Sequence, residues 1–164
     1  MPLAVTPHVS ALSTLAVASS VASALVGGVF FAFSTFVLRA LADLPSARGI
    51  PAMQRINITV INPWFLGVFL GTAPLLGVTA FFGRDNAPAF GWLLAAFGVY
   101  LVGSVGVTMA FNAPRNNRLA ALEPNSPEAA ACWPTYVREW LWWNHVRCIA
   151  SLLAATAAAL AIAQ

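Results

Sequence analysis

The residues best suited to chemistry lie in one apolar segment near the C-terminus. Trp140, Asn144 and Arg147 are spaced i, i+4 and i+7, which places them on one face of a helix. That face would present a flat aromatic ring, a side-chain amide and a fixed cation. Such a set suits a planar substrate whose oxygen gains negative charge during reaction. The competing interpretation is structural: interfacial tryptophans beside an arginine that snorkels to the headgroups or joins helix ends.

His145 lies in the same segment but about 100° around the helix from Asn144. A histidine there is either a packed residue or a general base. Cys148 follows three residues later, so both side chains could touch one metal. No carboxylate, second histidine or CxxC motif accompanies them, and a zinc site needs more ligands. We therefore expect no metal, with haem or a metal at His145 as the alternative.

Amides and arginines also lie where other apolar segments begin or end. Asn112, Asn116 and Arg118 surround Pro114 after the third segment, and Asn57 lies at the start of the second. Asparagine is common at helix ends, so these side chains could be simple caps. If the segment ends meet, they would instead line one site. The candidate catalytic residues are Arg147, His145, Asn144 and Asn116, and the candidate substrate-binding residues are Trp140, Trp143, Asn57, Arg118 and Asn112.

The elements that position these residues are apolar throughout. The 164-residue chain is 60% hydrophobic and 8% charged, with a mean hydropathy of +0.79, whereas a soluble domain carries roughly 25% charged residues. Apolar runs cover about residues 9–38, 52–82, 89–111 and 133–163. Short connections predict an all-α, four-helix antiparallel transmembrane bundle that forms one membrane domain over residues 1–164.

The distribution of charge limits the partners. All eight basic residues are arginines, and they are scattered, so we expect a lipid bilayer and no nucleic acid as partner. Most arginines lie near residues 39–55 and 112–131, which predicts that both loops are cytoplasmic and both termini outside, in a bacterial inner membrane. Stripes of small residues in the first two segments could dock a larger protein or a second copy in a homo-oligomer.

Four stretches together resemble a known family. They are Gly27-Gly28 with the Phe-rich run that follows, Met53-Gln54-Arg55-Ile56-Asn57, Asn112 to Leu119, and Trp140 to Arg147. The chain resembles the anthrone oxygenase-like family of small four-helix membrane proteins, most of whose bacterial members have no assigned function. The resemblance implies that Asn116, Trp140, Asn144 and Arg147 are signature positions. It also implies oxidation of a hydrophobic anthrone- or phenol-like aromatic by O₂, without an added metal or flavin.

The leading hypothesis is therefore a membrane-embedded, anthrone oxygenase-like monooxygenase. A non-enzymatic membrane accessory subunit and a haem- or metal-binding redox protein that uses His145 are the alternatives. A proton-coupled transporter is disfavoured, because no acidic residue lies inside the predicted helix cores.

Overall fold

The computed structural model describes residues 11–164, which fold into five helices with no strand in that range. Four of them, α1 (Ala11–Ala42), α3 (Pro63–Phe82), α4 (Ala87–Ala120) and α5 (Pro127–Ala163), are long and apolar enough to cross a membrane. The shorter α2 (Ser46–Thr59) lies between α1 and α3. The predicted all-α transmembrane bundle is confirmed, and the chain is an integral membrane protein.

Neighbouring long helices are antiparallel. Ser19, early in α1, hydrogen-bonds Thr79, late in α3, with 2.9 Å between the hydroxyl oxygens. In α4 and α5, Ser104 pairs with Ser151 at 3.0 Å, and Asn116 pairs with Trp140. These pairs run in opposite sequence directions, as expected when short loops connect successive helices.

The second predicted helix, residues 52–82, is wrong as a single element. Asn62 is extended (φ −133°, ψ 157°), because a residue before proline is displaced from the helical conformation. Its Oδ1 accepts a hydrogen bond from the Phe65 amide at 3.0 Å and so caps α3. The preceding helix, α2, begins at Ser46 rather than 52, because it buries Ile50 and Met53 against the end of the bundle.

The connection predicted over residues 112–131 is also largely helical. α4 continues past Pro114 to Ala120, and α5 begins at Pro127, six residues before the expected start at 133. Pro114 does not end α4, because the π-helical segment Thr108–Asn112 just before it widens the backbone and relieves the clash with the proline ring. The Ser126 hydroxyl accepts a hydrogen bond from the Ala129 amide at 3.1 Å and caps α5.

The other predicted boundaries differ by a few residues. α1 extends beyond 38 to Ala42, and α4 begins at Ala87 rather than 89. The predicted start of the first helix, at residue 9, lies outside the described residues.

Helix α5 packs against α1, α2 and α4. Small residues permit this close packing. A Cβ on Gly103 of α4 would lie 2.5 Å from the Ala150 Cβ of α5, and one on Gly27 of α1 would lie 2.9 Å from Leu152. The helix axes therefore approach closely on both sides of α5.

Three π-helical segments interrupt the long helices: Phe33–Val37 in α1, and Leu101–Gly106 and Thr108–Asn112 in α4. Each contributes a polar side chain that hydrogen-bonds α5, from Ser34, Ser104 and Thr108 respectively. Because π turns occur frequently at functional sites, their contacts with α5 indicate that this helix carries one.

Candidate functional site

One face of α5 carries polar side chains into the interior of the bundle. Trp140, Asn144 and Arg147 are 5%, 0% and 6% exposed, as their helical spacing predicts. Tyr136 precedes Trp140 by one turn and is also buried. The amide and the guanidinium therefore face other helices, and neither faces lipid.

The Arg147 guanidinium lies between two aromatic rings. Its Cζ is 4.2 Å from the centroid of Phe30 and 5.0 Å from that of Trp140. Nη1 donates to Thr108 Oγ1 at 3.2 Å, and Nη2 donates to Asn144 Oδ1 at 2.6 Å. Nε is buried and has no hydrogen-bond partner within residues 11–164. Four groups thus orient the cation, and Nε is its one nitrogen without a hydrogen-bond partner in the described residues.

Asn144 links Arg147 to α1. Its Nδ2 donates to the Phe30 carbonyl at 2.8 Å and to Ser34 Oγ at 2.7 Å. Its Oδ1 accepts from Arg147, so every polar atom of the amide has a partner. Contacts with α1 and with Arg147 fix the orientation of the amide. The amide in turn fixes the position of the guanidinium.

Asparagines of α4 hold the outer turns of the same face. Asn116 Oδ1 accepts from Trp140 Nε1 at 2.8 Å and from the Tyr136 hydroxyl at 3.0 Å. Asn112 Nδ2 donates to the Trp140 carbonyl at 3.2 Å, while its buried Oδ1 has no partner in the described chain. The two asparagines therefore fix Trp140, the ring on which Arg147 lies.

The buried cation has no carboxylate partner. Two ion pairs occur among residues 11–164, Arg84 with Asp85 and Arg115 with Glu139, and neither includes Arg147. Burying an unpaired charge is costly, and the aromatic faces offset only part of that cost. A ligand oxygen that carries or gains negative charge would complete the site at Nε.

The comparison with known families matches residues 64–157, more than half of the chain, to the anthrone oxygenase family. This chain is a member of the anthrone oxygenase family. The resemblance drawn from the sequence is confirmed. No curated protein and no solved structure matches the chain.

The part matched to the anthrone oxygenase family includes α3, α4 and most of α5. It contains Asn112, Asn116, Trp140, Asn144 and Arg147, which the structure brings together. Phe30 and Ser34, which complete the surroundings of Arg147 and Asn144, lie in α1, before the matched segment.

Other predicted site residues of this anthrone oxygenase family member lie apart from Arg147. Arg118 is exposed, and His145 lines a surface cavity on the outer side of α5. Trp143 lines the same cavity and stacks on Phe111, with ring centroids 3.5 Å apart. Asn57 lies beside the Tyr136 hydroxyl, with its buried Nδ2 unpartnered among the described residues.

Sequence reasoning missed Phe30, Ser34, Thr108 and Tyr136 as members of the site. Tyr136 could have been found, because it is four residues before Trp140 on the same helical face. Thr108 lies four residues after Ser104 and before Asn112 on one face of α4. Nothing in the sequence pairs Phe30 or Ser34 with Asn144, since that contact joins α1 to α5.

The structure separates the two residues weighed as metal ligands. Cys148 is buried, with its Sγ 3.8 Å from the Gly27 carbonyl oxygen, whereas His145 faces the outer cavity. Nowhere in residues 11–164 do three or more His, Cys, Asp or Glu side chains form a group suited to a metal. The expectation of no metal or haem stays a prediction.

Proposed function

We propose that this protein is a membrane-embedded oxidoreductase that oxidises an anthrone- or phenol-like aromatic with O₂. The observation that carries the proposal is the buried Arg147 guanidinium, which has no carboxylate partner in the described chain and lies between two aromatic rings. Membership of the anthrone oxygenase family supports the reaction class.

The reaction converts an activated ring CH₂ into a ketone. Loss of a proton gives an electron-rich aromatic anion, which transfers one electron to O₂. The substrate radical and superoxide combine to a peroxide anion, which takes up a proton. Loss of water from the hydroperoxide leaves C=O, so the balance is CH₂ + O₂ → C=O + H₂O. Oxygen is the oxidant, and the protein must stabilise two successive anions.

Arg147 has the central role in this scheme. Its free Nε–H would donate to the substrate oxyanion, and its charge would favour ionisation of the weak carbon acid. Asn144 would hold the guanidinium in place. The rings of Phe30 and Trp140 would hold the guanidinium between them, and a flat substrate would approach it from the Nε edge.

The proton lost from carbon passes to solvent, but protonation of the peroxide anion needs a donor, and we assign that role to the Tyr136 hydroxyl ahead of His145. The Tyr136 hydroxyl is buried on the face that carries Arg147 and donates to Asn116. His145 lines a cavity on the outer side of the same helix, which disfavours direct contact with a substrate at Arg147.

The test measures O₂ uptake by the purified protein in nanodiscs with anthrone as substrate. We expect one O₂ per anthrone and, with ¹⁸O₂, one labelled oxygen in the quinone. Arg147→Ala should abolish uptake, while Arg84→Ala, which removes an exposed arginine between α3 and α4, should not. Absence of turnover with a panel of anthrones and phenols would exclude the proposal and favour an accessory subunit.

We further propose that the end of the bundle bearing the site faces the cytoplasm of a bacterial cell, with loops 39–55 and 112–131 inside and both termini outside. Six arginines lie at this end outside the buried face: Arg39, Arg48, Arg55, Arg115, Arg118 and Arg138. An impermeant maleimide should label Asp85→Cys but not Asn117→Cys in intact cells, with Cys132 and Cys148 replaced by serine. The reverse labelling pattern would invert the topology.

A further inference from the structure

A cavity of about 490 Å³ opens on the outer side of α5, apart from the buried face that holds Arg147. We call it the outer groove. Its lining combines cations with aromatic and apolar groups, and includes Arg115, Arg138, Glu139, Leu141, Trp142 and His145. Neither the family membership nor the proposed reaction assigns it a role.

Charges in the outer groove do not cancel. Arg115 binds Glu139 through Nη2 at 2.9 Å and Nε at 3.0 Å, and its Nη1 donates to the Phe111 carbonyl. The charges of Arg115 and Glu139 therefore cancel, and all three guanidinium nitrogens of Arg115 already have partners. Arg138 is exposed and has no acidic partner in the chain from residue 11 onward. One uncompensated guanidinium therefore remains at the rim.

The outer side of α5 changes from charged to apolar along its length. Arg138, Trp142, His145 and Ile149 follow one another by three or four residues along the outer side of α5. Trp142 is 64% exposed and Ile149 is 59% exposed, and about 16 Å of helix separates Arg138 from Ile149. A cation, an indole, an imidazole and an aliphatic chain thus succeed one another from the polar end of the bundle inward.

We propose that the outer groove binds an acidic phospholipid. The phosphate would lie on the Arg138 guanidinium, and the imidazole of His145 would donate to an ester oxygen below it. One acyl chain would follow Leu141 and Trp142 toward Ile149. The groups along this side of α5, from Arg138 through Trp142 and His145 to Ile149 below the groove, match the headgroup, interface and hydrocarbon of such a lipid in order. This assignment gives His145 a role that does not depend on catalysis at Arg147.

The test is lipid retention in native mass spectrometry of the detergent-purified protein. Phosphatidylglycerol and phosphatidylcholine with identical acyl chains are added separately. We expect one tightly held phosphatidylglycerol and little retained phosphatidylcholine. Arg138→Ala should weaken phosphatidylglycerol binding roughly fivefold, the effect of one basic residue at a membrane surface, and Arg138→Lys should restore most of it.

Arg84→Ala is the matched control, because Arg84 is exposed and lies in the short loop between α3 and α4. It should leave retention unchanged. A thermal unfolding series gives a second measurement: phosphatidylglycerol should raise the Tm of the wild type more than that of Arg138→Ala. Equal retention of the two lipids, or an unchanged affinity in Arg138→Ala, would overturn the proposal, whatever the outcome of the O₂ assay.

Discussion

Asn144 Oδ1 accepts a hydrogen bond from Arg147 Nη2 at 2.6 Å, three residues along the same helix. The amide supplies an acceptor without supplying a charge. It therefore orients the guanidinium and leaves its positive charge available to a ligand. A carboxylate at the same position would pair with the cation and neutralise it, but it could not donate to the Phe30 carbonyl as Asn144 Nδ2 does.

Asn144→Asp tests this distinction. The new carboxylate should pair with Arg147 but can no longer donate to the Phe30 carbonyl. We therefore expect a lower Tm, by the loss of one buried hydrogen bond, while O₂ uptake with anthrone falls by roughly 10²-fold or more, the effect of losing one preorganised anion donor. Thermal unfolding and O₂ uptake are measured together. Asn117→Asp, at an exposed position of α4, is the control and should change neither. Full activity in Asn144→Asp would mean that the charge of Arg147 is not used.

Arg147→Met should abolish activity with little change in stability. The thioether fills similar space and removes a buried cation that has no carboxylate partner within residues 11–164. Removal of the buried cation is favourable, but it leaves Asn144 Oδ1 without its donor, at a cost of about 1–3 kcal/mol. We therefore expect little net change in the free energy of unfolding, while O₂ uptake is lost. Reversible unfolding in mixed micelles measures the first quantity. A large loss of stability would instead indicate that Arg147 is a structural link between helices.

Tyr136→Phe separates the two candidates for proton transfer. It removes the hydroxyl that donates to Asn116 and keeps the ring that stacks on Trp133, with centroids 5.5 Å apart. The cost in stability should be about 1 kcal/mol. Loss of a general acid or base should slow turnover by 10²-fold or more.

His145→Ala is the comparison for Tyr136→Phe and should change kcat less than twofold. The pH dependence of kcat is recorded for both variants, because a purely structural role would leave the profile unaltered in shape. A flat response to Tyr136→Phe, with a large one to His145→Ala, would return the assignment to the histidine.

Gly103→Ala should destabilise the bundle. Its Cβ would lie 2.5 Å from the Ala150 Cβ, so α4 and α5 must move apart. We expect a loss of about 1–3 kcal/mol in the free energy of unfolding. Gly98→Ala, in the same helix, meets nothing within 4 Å and should be neutral or slightly stabilising. Equal Tm values for the two variants would contradict the close approach of the helices.

Much of the fold follows from composition and spacing, because lipid requires long apolar helices and short loops make neighbours antiparallel. The predicted helix boundaries were wrong at two prolines, where the neighbouring residues decide whether the helix ends. Pro63 ends a helix through the residue before it, whereas Pro114 is accommodated by a π-helical segment. Neither outcome is visible in the proline itself.

The candidate site was predictable only within single helices. Trp140, Asn144 and Arg147 share a face by arithmetic alone. Their partners Phe30, Ser34 and Thr108 belong to other helices, so the contacts depend on how the bundle packs. His145 is adjacent to Asn144 in sequence, yet a single residue step turns it to the outer side of α5.

The π-helical segments of α4 have a consequence for winding. Ser104, Thr108, Asn112 and Asn116 recur every four residues and all hydrogen-bond α5. In a regular α-helix, four residues overshoot a full turn by about 40°, so Asn116 would be rotated about 120° away from Ser104. Looser π turns rotate the chain less per residue and cancel this drift. The lower twist per residue thus aligns side chains that repeat every four residues along one side of α4. Deletion of one residue from the π-helical segments would rotate the asparagines that follow away from α5.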